Sequence, residues 1–102
     1  MFTTENSLGG LPIRQNPILR PTEVARIRGR SRSAHYADIN AGLFVKPVSI
    51  GLRAVGTPAR EVAILNEARI AGKSDEAIRA LVLTLEAARK NANRQAPQTE
   101  GA

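Results

Sequence analysis

Apolar and polar positions divide the chain into a polar start, a patterned middle and a polar end. Residues 1–16 include Gly9, Gly10 and Pro12 and show no apolar periodicity, which predicts a flexible N-terminal arm. Residues 91–102, NANRQAPQTEGA, have a similar polar composition and predict a disordered tail. A single folded domain is therefore expected over residues 17–90, in keeping with a length of 102 residues.

The first patterned stretch predicts two short helices joined by a tight turn. In RPTEVARIRG, Pro21 suits a first helical position and Gly29 suits a helix end. Ser31 is a good N-cap for a second helix, which is expected to end near Gly42 in the left-handed conformation. Because only about three residues link them, the helices must cross steeply, as in a helix-turn-helix.

The next stretch predicts a small β-hairpin. In LFVKPVSIGLRAVG, Val48 and Ile50 alternate with a polar residue, and Gly51 favours a turn. Pro47 confines the first strand to a sheet edge, because proline cannot donate a ladder hydrogen bond.

Two further helices follow the hairpin. Thr57 and Pro58 are expected to cap and open a third helix that buries Val62 and Leu65 and stops at Gly72. Ser74 is expected to cap a fourth helix, whose apolar stripe consists of Ile78, Leu81, Val82 and Leu85. This stripe either closes the core over the third helix or forms a contact face for a second copy of the chain. The predicted fold is mainly α with a small β-hairpin, a winged helix-turn-helix with an additional C-terminal helix.

The net charge of +6 lies entirely in the first part of the chain. Residues 1–60 hold nine basic and three acidic residues, whereas residues 61–102 hold six of each. Most of the excess is arginine, whose planar fork suits phosphates and guanine edges. A local basic surplus of this kind favours a nucleic-acid partner over a generic solubilising surface.

The second helix carries the candidate DNA contacts because it has few apolar residues. Ala34 and Ile39 are its clearest inward positions, which leaves a polar outer face that suits the major groove. The predicted DNA-binding residues on or beside this helix are Arg30, Arg32, Ser33, His35, Tyr36 and Asn40, and those in the wing region are Lys46 and Arg53. The alternative is that these are solvated polar residues on an ordinary surface.

Three residues of the second helix admit more than one role. His35, the only histidine, is either partly buried and hydrogen-bonded or a groove contact. Tyr36 either packs on the wing or bonds a phosphate through its hydroxyl. Asp38 would be repelled by phosphate, so we expect it to form a salt bridge with Arg26 or Arg30 that orients the two helices.

The composition argues against an enzyme and against cofactors. The chain has no cysteine and one histidine, so thiolate chemistry is excluded and a metal site would need carboxylates alone. No nucleophile is paired with an identifiable base. The sequence shows neither a signal peptide nor a membrane span, and a cytoplasmic location without membrane partners is expected.

The stretches ILRPTEVARIRGRSRSAHYADINAGLFVKPVSIGLRAVG and EVAILNEARIAG resemble the AlpA family of phage and mobile-element regulators, which is related to winged helix-turn-helix excisionases. The resemblance runs from Ile18 to Gly72. It places the start of the recognition helix on Arg32 and Ser33, the family's tyrosine on Tyr36 and the basic residue of the wing on Arg53. The sequence departs at Thr57 and Leu65, where many members have tryptophan, and at His35 and Asp38, where apolar residues are usual.

The resemblance implies a duplex-DNA-binding protein of a prophage or integrative element. Such a protein acts as an excisionase, a recombination directionality factor, or regulates transcription of integrase and excision genes. Its expected targets are attachment-site or promoter repeats, with integrase, RNA polymerase or further copies of the chain as protein partners. An alternative function is a protein-interaction module that uses the apolar stripe of the last helix and does not read DNA.

Overall fold

The computed structural model describes residues 16–95, which form three short strands and four helices. In chain order the elements are β1 (Ile18–Leu19), α1 (Pro21–Arg28), α2 (Arg32–Asn40), β2 (Val48–Gly51), β3 (Ala54–Pro58), α3 (Ala59–Ile70) and α4 (Asp75–Gln95). We call β2, β3 and the turn between them the wing. This architecture confirms the predicted winged helix-turn-helix with an additional C-terminal helix.

The boundaries of α1 and α2 follow from local capping chemistry, as predicted. Pro21 opens α1, and Gly29 ends it with φ 72°, a left-handed conformation that glycine adopts without steric cost. Ser31 Oγ accepts a hydrogen bond from the Ala34 amide at 3.1 Å and so caps α2. The two helices are therefore separated by only three residues, as the sequence predicted.

The sheet contains one strand that the sequence pattern did not predict. All pairs are antiparallel in the order β1-β3-β2, so β2 lies at an edge, as Pro47 predicted. The two residues of β1 are too few to show periodicity, and they pair with the end of β3 in the register Ile18↔Pro58.

Gly56 is required where β1 crosses β3. A Cβ atom at this position would collide with Ile18 Cγ2 and would lie 2.8 Å from the carbonyl oxygen of Leu19. The backbones of the two strands approach each other this closely only because Gly56 has no side chain.

The predicted capping role of Thr57 is wrong. Thr57 belongs to β3, pairs with Leu19 and is buried, so its hydroxyl does not cap α3. Instead, α3 begins at Ala59, whose amide donates to the carbonyl of Pro17 at 2.8 Å. The next amide, of Arg60, donates to Oδ1 of Asn16 at 2.8 Å. The cap thus comes from a segment more than forty residues earlier in the chain.

The core lies where α1, α3 and α4 meet the segment after α2. Its buried apolar members include Val24, Phe44, Val45, Val62, Leu65, Ile78 and Val82. Leu81 and Leu85 pack against this cluster, so the stripe of α4 closes the core over α3. Gly72, with φ 79°, follows α3, and Ser74 Oγ accepts from the Ala77 amide to cap α4.

Polar contacts also fasten α4 to the rest of the domain. Arg89 binds Glu61 of α3 through two nitrogens, at 2.6 and 3.0 Å, and donates to the carbonyl of Lys46 at 2.8 Å. Glu86 accepts a hydrogen bond from the Lys46 amide at 2.8 Å. The fourth helix is thus part of the domain.

The predicted tail overlaps the last helix. Helix α4 continues to Gln95, so residues 91–95 are helical and not part of a tail. Asn16, assigned to the arm, takes part in the cap of α3. The rest of the predicted arm and tail, residues 1–15 and 96–102, lies outside the described residues. No helix within residues 16–95 is both long and apolar enough to cross a membrane.

Candidate nucleic-acid interface

The outer face of α2 presents an exposed set of polar side chains. Arg32, Ser33, Tyr36 and Asn40 are all exposed, and the helical spacing places them along one side. Among the described residues, the side chains of Arg32, Ser33 and Asn40 have no hydrogen-bond partner. These donors and acceptors are therefore available to a ligand.

The inner face of α2 differs from the prediction. The most deeply buried residues are His35, which is 2% exposed, and Asp38, which is 9% exposed. Ala34 and Ile39, expected to be the main inward residues, are only partly buried. Helix α2 therefore packs on the domain through two polar residues, at positions where the sequence departs from the family that it resembles.

Four residues, Arg28, Arg30, His35 and Asp38, form what we call the polar cluster. Asp38 accepts a hydrogen bond from Arg28 at 2.8 Å and two from Arg30, each at 3.0 Å. A second nitrogen of Arg28 lies 2.8 Å from Nδ1 of His35. Because Arg28 belongs to α1, Arg30 to the turn and the other two to α2, the polar cluster joins α2 to α1.

The hydrogen bond with Arg28 determines the tautomer of His35. A guanidinium has no acceptor, so Nδ1 of His35 must accept, and the ring proton of the neutral form resides on Nε2. Burial lowers the pKa of His35, and the adjacent positive charge of Arg28 lowers it further. The histidine is consequently held neutral.

The charges of Asp38 and Arg28 are maintained by each other. Burial raises the pKa of the Asp38 carboxyl, but hydrogen bonds from Arg30 and Arg28 outweigh burial and hold it below its ordinary value. Burial lowers the pKa of Arg28, whereas its hydrogen bond with Asp38 raises it. The Arg28 side chain is only 7% exposed, so Asp38 is its main charge partner.

The ring of Phe44 packs against two members of the polar cluster, Arg28 and His35. The guanidinium carbon of Arg28 lies 4.2 Å from the centre of the Phe44 ring, a cation–π contact. The His35 ring meets the same aromatic ring edge to face, with centroids 5.1 Å apart. Arg28 and His35 are thereby packed as well as hydrogen-bonded.

The polar cluster tests the individual predictions for this helix. The predicted bridge between Asp38 and Arg30 is confirmed, but the alternative partner Arg26 is wrong, because Arg26 pairs with Glu23. Arg28 was missed as a partner. The available indication was that polar residues occupy positions 35 and 38 together, because a carboxylate that becomes buried is ordinarily paired with a cation.

His35 is not placed as a groove contact. Its ring is buried against Arg28 and Phe44, so in this conformation it cannot reach a base or a phosphate. The prediction that His35 binds DNA is therefore corrected, and the hydrogen-bonded interior role is the one observed. Tyr36 remains exposed, and its ring tilts against that of His35 with centroids 5.5 Å apart.

The remaining candidates lie on the surface. Arg53 is exposed in the turn of the wing and has φ 61°, an uncommon left-handed conformation for a residue with a side chain. Lys46 is exposed directly after the buried pair Phe44 and Val45. The Arg30 side chain is 44% exposed although it binds Asp38. No group of three or more histidine, aspartate or glutamate side chains within residues 16–95 could hold a metal ion.

Comparison with known proteins identifies one family. Residues 17–64 match the family model described as Prophage CP4-57 regulatory protein (AlpA). The match covers β1, α1, α2, the wing and the first part of α3, and it stops before α4. No curated protein and no solved structure gives a significant match to the chain.

Proposed function

The chain belongs, through residues 17–64, to the AlpA family of prophage regulatory DNA-binding proteins, and from this premise we propose that it binds specific sequences in duplex DNA through α2. The observation that carries the proposal is the division of α2 into two polar faces. Its inner polar residues are bonded within the polar cluster, whereas its outer ones have no partner in the described part of the chain.

The dimensions of α2 suit the major groove. An α-helix with its side chains is about 10–12 Å in diameter, which fits a groove about 12 Å wide, and the nine residues of α2 extend about 13 Å. When the N-terminal turn of such a helix enters the groove, its first exposed residues face base edges. We therefore assign base contacts to Arg32 and Ser33, with Arg32 suited to a bidentate bond with guanine.

Other exposed residues suit the DNA backbone. Tyr36 has a hydroxyl that can bond a phosphate, and Asn40 can contact either a base or the backbone. Arg30 keeps part of its guanidinium exposed beside the start of α2. Lys46 and Arg53 supply positive charge in the wing region, where sequence-independent phosphate contacts are expected.

Alanine variants of two arginines test this assignment. A duplex enriched from a randomised pool by the wild-type chain serves as the specific site, and a random duplex serves as the reference. Arg32→Ala should weaken specific binding by about 1–3 kcal/mol and leave random binding less affected. Arg53→Ala should weaken both duplexes alike and reduce the salt dependence by about one unit of slope. Equal losses on both duplexes for Arg32→Ala would contradict the base contact.

For the biological role, we propose an excisionase, a regulator of integrase and excision genes, or both. An excisionase bends DNA by binding adjacent repeats, so that integrase assembles a different complex, and the bend costs a few kcal/mol. A transcription regulator needs a promoter site and a contact with RNA polymerase. Either role places the protein on cytoplasmic DNA, where several copies can associate along the repeats.

A nuclease footprint on the ends of the mobile element distinguishes the two roles. Protection of spaced repeats beside the attachment site indicates an excisionase, and a single site in the integrase promoter indicates a regulator. Uniform, salt-sensitive coating of all DNA would contradict sequence recognition. The alternative of an interaction module relied on the apolar stripe of α4, but Ile78 and Val82 of that stripe are buried in the core.

A further inference from the structure

We propose that Arg79, in the helix beyond the family-matched segment, forms an additional DNA-phosphate contact at the C-terminal end of the recognition helix. This inference rests on the proposed DNA-binding function and extends it to α4. The segment that matches the family model ends at residue 64, so the family assignment does not include this residue.

The side chain of Arg79 is held at the end of α2 by a specific hydrogen bond. Its Nε donates to the carbonyl oxygen of Ala41 at 2.9 Å. This carbonyl follows the last residue of α2, where orphan backbone acceptors need partners. The aliphatic part of Arg79 lies across Gly42, because a Cβ at that glycine would lie 3.7 Å from Arg79 Cγ.

The anchoring leaves the outer edge of the guanidinium unoccupied. Only Nε is bonded to another group among the described residues, and both terminal nitrogens of the exposed Arg79 side chain lack a partner there. The guanidinium is thus held in place by one nitrogen and carries unused donors on its other edge. A phosphate oxygen pair matches this fork geometry.

The end of α2 lies at the level where phosphates are expected. Because α2 is about 13 Å long and the major groove about 8.5 Å deep, a helix inserted by its N-terminal end reaches the groove rim at its C-terminal end. Asn40, the last residue of the exposed face, directly precedes the carbonyl that Arg79 binds. Arg79 therefore lies next to the expected path of the DNA backbone.

The salt dependence of binding to a random duplex tests this contact. A phosphate contact contributes about 0.9 to the slope of log affinity against log salt, whatever the DNA sequence. Arg79→Ala should reduce the magnitude of this slope by about 0.9. Between 50 and 200 mM salt, the variant should therefore lose about 3.5-fold less affinity than the wild type loses. Arg79→Lys should keep the wild-type slope, because it keeps the charge. Lys73→Ala, which removes an exposed charge from the turn between α3 and α4, should keep it too.

The competing explanation is that Arg79 serves only to cap α2. In that case Arg79→Ala retains the wild-type salt slope. Alternatively, the slope decreases in Arg79→Lys as much as in Arg79→Ala, because lysine lacks the Nε donor that caps α2. An equal change in slope for Lys73→Ala would indicate a general charge effect. Each of these results overturns the proposal. If the wild type binds the enriched and the random duplex equally well, sequence recognition is overturned instead. The salt slopes of the Arg79 variants on the random duplex would still test the phosphate contact.

Discussion

Removal of the Asp38 carboxylate is expected to destabilise the domain far more than removal of an exposed partner. In Asp38→Ala, the nearly buried Arg28 loses its charge partner and keeps only His35 and Phe44. A hydrogen bond between charged groups in such a site contributes about 1.5–3 kcal/mol. The half-exposed pair with Arg30 adds about 0.5 kcal/mol after allowance for solvent screening. The expected loss is therefore about 3 kcal/mol.

Chemical and thermal unfolding of the wild type and of Asp38→Ala measure this loss of stability. A change of about 3 kcal/mol corresponds to a fall in Tm of about 12–24 °C for a domain of this size. The matched control is Glu23→Ala, which breaks the exposed pair with Arg26 and should cost less than about 1 kcal/mol. If Asp38→Ala loses no more stability than Glu23→Ala, the polar cluster does not hold the two helices together.

A compensated variant separates the missing partner from a general intolerance of change at this site. Replacement of Arg28 by methionine together with His35 and Asp38 by leucine removes all three buried polar groups at once. Because apolar side chains of similar volume replace buried ion pairs without loss in other proteins, we expect stability within about 1 kcal/mol of the wild type. A triple variant less stable than Asp38→Ala would contradict this explanation.

Three further predictions concern stability and can be measured by urea unfolding. The wild type should lose stability as pH falls below about 6.5, because His35 becomes protonated in the unfolded chain but stays neutral in the folded one. His35→Leu should remove this pH dependence, and parallel pH profiles of the variant and the wild type would contradict the prediction. Gly56→Ala should cost about 2 kcal/mol through collision with β1, whereas Gly51→Ala, with room for a methyl group, should cost under about 1 kcal/mol; equal costs would refute the close approach. Arg89→Ala should cost about 2 kcal/mol because it leaves Glu61 largely buried without its partner, and an unchanged midpoint would show that this pair does not fasten α4.

The elements that could be predicted from the sequence are those specified by neighbouring residues. Pro21, Gly29 and Ser31 set the limits of the helix-turn-helix through local backbone and capping preferences, and the structure confirms each of them. The apolar stripe of α4 was also correctly identified, because helical spacing depends only on the helix itself.

The features that could not be predicted depend on contacts between distant residues. The start of α3 was misplaced because its cap comes from Asn16 and Pro17, and no local motif shows this. The sequence left His35 either hydrogen-bonded and partly buried or in contact with DNA, because one polar position on a helix does not show which partner it meets. Its burial depends on Arg28 of α1, and no local motif in the sequence shows that these two residues are partners.

Methylation interference on the enriched duplex tests the central claim most directly. Dimethyl sulfate modifies guanine at N7 in the major groove and adenine at N3 in the minor groove. If the exposed face of α2 enters the major groove, methylation of one or more guanines should block binding of the wild type, and Arg32→Ala should relieve the block at one of them. Interference confined to adenines, or none at any base, would contradict recognition of DNA by α2.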